Sequence, residues 1–304
     1  MILSANRPIL TFFALFFIAA NPSAAIDTGN IRQPAAAGTF YPAEPAVLAD
    51  TVDTLLANAE SHSVPGKIVA LILPHAGYPY SGHVAAAGFK LIKDLRFERV
   101  VLVGPSHFVA FSGISVPSSE YYRTPLGDVP VDTQFAAILR SNSRVFIDFP
   151  EAHRKEHALE VEIPFLQRLW PGRPFQILPF VIGFVRSEEI MLMARTIFEL
   201  IRQDSLVIIS ADFSHYHPYE KAVEMDTRAI EAIVSGDIDR MTYYLNRKEI
   251  EIDAQYAVLS MMIAADHLKA EAKILKYANS GDVATRESVV GYSAIAFYLP
   301  RDSG

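Results

Sequence analysis

The chain has 304 residues, 51% of them hydrophobic and 20% charged, which is enough apolar material for a sizeable core and too little polar bias for disorder. The formal net charge is -7 and no basic stripe is present, so nucleic acid is not an expected partner. There is no cysteine, which excludes disulfides and thiolate chemistry and leaves His and carboxylates to build any metal site.

In chain order, Arg7 precedes an apolar run from Ile9 to Ala20, and Ser23 and Ala25 put small residues at the -3 and -1 positions of a cleavage site. The pattern predicts a secretory signal peptide over residues 1–25, and hence an exported, periplasmic protein with no stable membrane anchor. The alternative, an uncleaved anchor, suits the run less well because it is short for a ~20-residue span. Residues 26–304 then form one domain, since no linker or internal repeat divides them.

That domain opens with a loop-rich stretch (26–45) and a helix over 47–59. An apolar run at 68–73, bounded by Gly66 and Pro74, has the length and branched residues of a buried strand. A helix over 82–95 follows, then a second buried strand at 100–103 and a turn-rich excursion with short strands over 111–133. Helices at 157–170 and 187–203 alternate with strands at 175–181 and 206–209. Two more helices (218–234 and 253–269) and two strands (273–278 and 293–299) complete the chain. Strands alternating with helices predict an α/β fold, a single domain with a mixed, largely parallel central sheet flanked by helices.

The chemistry follows the strands. The first buried strand runs into Pro74-His75-Ala76-Gly77-Tyr78, the second into Gly104-Pro105-Ser106-His107, and the strand ending at Ile209 into Asp212-Phe213-Ser214-His215. Ligands of open α/β sheets bind beyond the carboxyl ends of the strands, so three imidazoles are expected to converge on one crevice. Imidazole is a common ligand of transition metals. Each histidine alone reads more readily as an ordinary loop residue, and it is the repetition at equivalent places that points to a site. Asp212 is either a carboxylate that orients a ring nitrogen or a turn aspartate. His157 is a further functional candidate. His153 and Glu162 read more readily as structural, and Glu160 would share a helix face with His157. Asp253, at the start of a predicted helix, is either an N-cap or the anionic member of a two-His, one-carboxylate metal site.

Longer motifs carry a resemblance. Residues 32–42 (Arg-Gln-Pro-Ala-Ala-Ala-Gly-Thr-Phe-Tyr-Pro), the three histidine motifs, Thr124–Asp132, Glu156–Phe165, Asn279–Asp282 and Val290–Phe297 together resemble the Memo family, called AmmeMemoRadiSam system protein B in bacteria and archaea. The resemblance spans about residues 31–298 and implies a fold similar to the class III extradiol dioxygenases, with a metal pocket. It further implies His75 and His107 as ligands and His215 as ligand or acid/base group, with iron or copper binding and redox activity attributed to some members. This chain departs at Asp253, where the family has cysteine. A carboxylate there shifts the expected metal from Cu(I) toward Fe(II), Mn(II) or Zn(II).

Two functions fit. One is a non-haem metal-dependent oxidoreductase, dioxygenase-like, with metal on His75, His107, Asp253 and His215 and with His215, His157 and Asp212 as the catalytic groups. The other is a non-enzymatic protein that keeps the pocket for a small-molecule or peptide ligand.

Overall fold

The computed structural model describes residues 30–301, and the predicted signal peptide lies outside the described residues. Twelve strands are described: β1 (Ile31–Arg32), β2 (Gly66–Leu73), β3 (Arg99–Pro105), β4 (Ile114–Ser115), β5 (Tyr121–Thr124), β6 (Gly127–Pro130), β7 (Phe146–Ile147), β8 (Gln176–Ile182), β9 (Leu206–Ser210), β10 (His215–His217), β11 (Glu271–Asn279) and β12 (Val289–Pro300). Nine of them form one sheet in the order β10-β12-β2-β9-β3-β8-β4-β7, with β11 paired to β12. Its centre, β2-β9-β3-β8, is parallel. β12 joins β2, and β4 joins β8, in antiparallel fashion. β1, β5 and β6 make a small separate sheet.

The continuous apolar runs are explained by burial on both faces. In β3, Val100 and Leu102 point into one core while Val101 and Val103 point into the other. β9 divides in the same way, Leu206 and Ile208 against Val207 and Ile209. Helices α1 (Pro45–Asn58), α2 (Tyr78–Leu91), α4 (Pro150–Arg154) and α5 (Ile163–Leu169) contribute to the first core. α3 (Thr133–Asn142), α6 (Ser187–Arg202), α7 (Tyr219–Ser235), α8 (Ile238–Asn246) and α9 (Gln255–Leu268) contribute to the second. α6 shows the cause: its buried Met193, Ala194, Ile197, Leu200 and Ile201 recur at the helical period and form one apolar stripe.

The predicted elements are present with shifted ends. The second helix begins at Tyr78, not near residue 82, because Pro79 sits in its first turn with φ already set for a helix. The helix expected from residue 157 starts only at Ile163, with Pro164 in its first turn, after a 3-10 turn at Glu160–Glu162. His157 therefore lies in the preceding loop and does not share a helix face with Glu160. α3 and α8 were not anticipated. Each is capped by an aspartate, Asp132 accepting from the Phe135 N–H and Asp237 from the Arg240 N–H. Among the described residues no helix is long and apolar enough to cross a membrane.

Candidate metal centre

The strand order brings the predicted segments together. β2, β9 and β3 are adjacent and parallel, so the turns that carry His75, Asp212 and His107 leave the same edge of the sheet. The loop bearing Glu156–Leu159 closes over them. Gly104 permits this approach, since a Cβ there would meet the Leu159 side chain at 2.9 Å.

His75, His107 and His157 could hold a metal ion, because each offers one ligand atom and these atoms all lie within 4.8 Å of one another. Asp253 enters the same space. Its Oδ2 is 2.9 Å from His75 Nε2, 3.5 Å from His107 Nε2 and 4.0 Å from His215 Nε2. It is buried and, among the described residues, has no aligned hydrogen-bond donor. A buried carboxylate oxygen faced by several ring nitrogens, none of them aligned as a hydrogen-bond donor, suits an ion placed between them.

The groups behind the ligands fix their rings. Glu156 Oε2 accepts from the His107 backbone N–H at 2.7 Å, and its Oε1 pairs with His107 Nδ1 at 2.8 Å. The Ala158 N–H holds that same Oε1 at 3.0 Å. With Nδ1 committed to the carboxylate, Nε2 of His107 faces Asp253. Phe40 stacks on His157 with centroids 4.1 Å apart, forming one wall of the site.

Charge follows geometry. Burial opposes a proton on His75, but the carboxylates of Asp253 and Asp212 outweigh it and push the ring up to about 10. His107 is raised to about 9, since the nearby carboxylates of Asp253 and Glu156 overcome burial. Glu156 is lowered to about 2 by its bonds to His107, against burial. His157 goes the other way, to about 3, through burial and the charge on His75. It is therefore a neutral imidazole at physiological pH.

Asp253 does not cap a helix. α9 starts two residues later with Ala254 at the N-cap, and the Asp253 side chain turns back, its Oδ1 accepting from the Asp212 N–H at 3.1 Å. Asp212 accepts from the His75 backbone N–H at 2.9 Å, not from an imidazole. His215 lies at the open side, its side chain 29% exposed, with its backbone N–H on Glu251. His153 is structural: its two ring nitrogens meet Tyr122 Oη at 2.6 Å and Ser115 Oγ at 2.9 Å. Glu160 is structural too. It binds Arg32, the Tyr41 hydroxyl and the N–H groups of Ala35 and Ala36, and so ties down the segment that carries Phe40. Glu156, Ser210 and Phe40 were missed in the sequence, although Glu156 adjoins a candidate histidine and Ser210 ends a strand that feeds the site.

The model of the Memo-like protein family matches residues 32–296. The chain belongs to the Memo family. A MEMO1 family protein of Archaeoglobus fulgidus is 36% identical over 278 residues, covering 88% of this chain and 99% of that protein. One from Methanopyrus kandleri is 33% identical over 279 residues, with 88% and 98% covered. An uncharacterized Escherichia coli K12 protein of known crystal structure has the same fold, with TM-score 0.51, 15% identity, and 75% of this chain and 99% of that one covered.

In this Memo-family site, Glu156→Ala is expected to free both the ring and the backbone of His107. Metal affinity, measured by competition with a chelator, should fall by about 10–100-fold.

Beside Asp253 lies a cavity of about 280 Å³ whose lining includes Pro105, Phe111, Phe184, Tyr256 and Ala257. Among the described residues lining it, Asp253 is the one carboxylate, and none is cationic.

Proposed function

We propose that this chain is an exported Memo-family protein that holds one divalent first-row metal, Fe(II) ahead of Mn(II), Zn(II) or copper, on His75, His107 and Asp253. It would use that metal in oxidoreductase chemistry on a small organic molecule. The observation that carries the reading is Asp253 Oδ2, buried, faced by three Nε2 atoms and lacking an aligned donor. Two imidazoles and a carboxylate form the donor set of facial non-haem iron sites, and the absence of a thiolate disfavours Cu(I). When bound, the metal would supply a Lewis acid and, as iron, manganese or copper, a one-electron redox centre. The neutral His157 offers a further nitrogen. His215, partly exposed at the open side, would accept a proton from a bound molecule. The apolar cavity next to Asp253 would seat the uncharged part of that molecule. The signal-peptide pattern of residues 1–25 supports action in the periplasm.

Oxygen uptake by Fe(II)-loaded protein with a panel of phenols and reductants is expected, and should be lost in His107→Ala. A metal-loaded protein inert to the whole panel would remove the enzymatic reading.

Metal uptake should also release protons. His75 and His107, at about 10 and 9, both carry a proton at neutral pH in the metal-free protein. A cation must displace both, so about two protons leave per ion and affinity rises with pH up to that range. Calorimetry in buffers of different ionisation enthalpy reads this directly, and titrations that are identical in all buffers would contradict it.

A further inference from the structure

The groups behind His75 differ from those behind His107. His75 Nδ1 lies 3.1 Å from Ser210 Oγ, and that hydroxyl also lies 2.7 Å from the Ala158 carbonyl and 2.9 Å from Glu162 Oε1. All of these groups are buried: His75 is 1% exposed, Ser210 0% and Glu162 1%. A serine hydroxyl has one proton to give and two lone pairs to receive. The Ala158 carbonyl can only accept, so the serine proton goes there. Ser210 Oγ must then receive from both remaining neighbours. Were the proton turned to His75 instead, the carbonyl and the carboxyl oxygen would both press on a bare lone pair, in a place without water to relieve them.

We propose that Ser210 and Glu162 are positioning residues that hold His75 with its proton on Nδ1, leaving Nε2 for the metal, and that Glu162 does so as a neutral acid whose O–H donates to Ser210. This assignment rests on the metal reading above only for its purpose, because the hydrogen-bond count stands without any ion. Burial is also the largest influence on Glu162, and with the nearby Asp212 carboxylate it pushes the group up to about 8, despite its bond to Ser210 and the charge on His75. The two ligands are thus oriented by opposite means. An ionised carboxylate grips His107, whereas a neutral acid, relayed through a hydroxyl, grips His75. A second full negative charge behind the pocket is avoided where Asp253 and Asp212 already lie close.

The test uses nitrogen-15-labelled full-length protein, metal-free and loaded with Zn(II), read through its imidazole nitrogens. A slowly exchanging His75 Nδ1–H is expected in both forms, with Nε2 alone shifted by zinc. Ser210→Ala should expose that proton to exchange and weaken zinc binding by about 10–100-fold. Glu162→Gln keeps a donor toward Ser210 and should leave affinity and proton unchanged, while removing the carbonyl stretch of a protonated acid from the infrared spectrum. Zinc on Nδ1, a Ser210→Ala protein with unaltered exchange and affinity, or loss of only ionised-carboxylate bands in Glu162→Gln would overturn the proposal. If Ser210→Ala does not fold, the wild-type and Glu162→Gln measurements still decide it. If zinc fails to bind yet the Nδ1–H stays protected, the metal reading falls and the orienting role of Ser210 stands.

Discussion

Asp253→Ala should lower Fe(II) affinity by more than the roughly 10–100-fold expected for losing a partner behind a ligand, because it removes a ligand and the site's central anion together. Its Oδ2 faces three different imidazole nitrogens, at 2.9, 3.5 and 4.0 Å. The same change lowers the proton affinity of His75 and His107, since the Asp253 carboxylate helps to hold both rings charged. The variant should therefore release fewer protons per ion than wild type while binding more weakly. Asp253→Cys introduces the residue that the family resemblance implies at this position. It should keep a site but move its preference toward soft metals such as Cu(I). Competition titrations with chelators for Fe(II) and Cu(I) separate these outcomes, and an Asp253→Ala protein with wild-type Fe(II) affinity would exclude Asp253 as a ligand.

The largest stability effect is expected away from the metal. Glu160 and Arg32 form an ion pair whose side chains are 0% and 5% exposed. Arg32 also donates to the backbone carbonyls of His153 and Glu156, and Glu160 receives the N–H groups of Ala35 and Ala36. Glu160→Ala leaves a buried guanidinium without its counter-charge and two N–H groups without acceptors. Breaking one side of such a pair costs about 3–5 kcal/mol. Urea unfolding should show the midpoint falling with little change in slope. The segment so released carries Phe40, which stacks on His157, so the amides of Ala35 and Ala36 should lose protection from exchange before the rest of the fold does. A Glu160→Ala protein of wild-type stability would show that the pair adds nothing over a hydrated arginine.

Much of this was legible in the sequence, for physical reasons that also mark where legibility ends. Apolar runs such as Val100–Val103 revealed the central strands because both faces of that sheet are covered. Histidines immediately after those strands then had to gather at one edge. What no local pattern revealed was which side chain faces which. Asp253 read in sequence as either a helix cap or an anionic ligand, and its carboxylate turns back to the Asp212 backbone. His157 looked helical, yet Pro164 delays the helix and leaves it in a loop. Glu156 reaches His107 across 49 positions, and Ser210 meets His75 across 135. Such partners are set by strand order and not by spacing along the chain. α3 and α8, each with only one or two buried side chains, were not anticipated.

The central claim is that His75, His107 and Asp253 enclose a metal ion. Its most direct test is anaerobic dialysis of the full-length protein against Fe(II), followed by elemental analysis of wild type and of a His75→Ala, His107→Ala double variant. The structure predicts about one ion per wild-type chain and none retained by the folded double variant. A wild-type protein that retains no metal, or a double variant that retains as much as wild type, would contradict it.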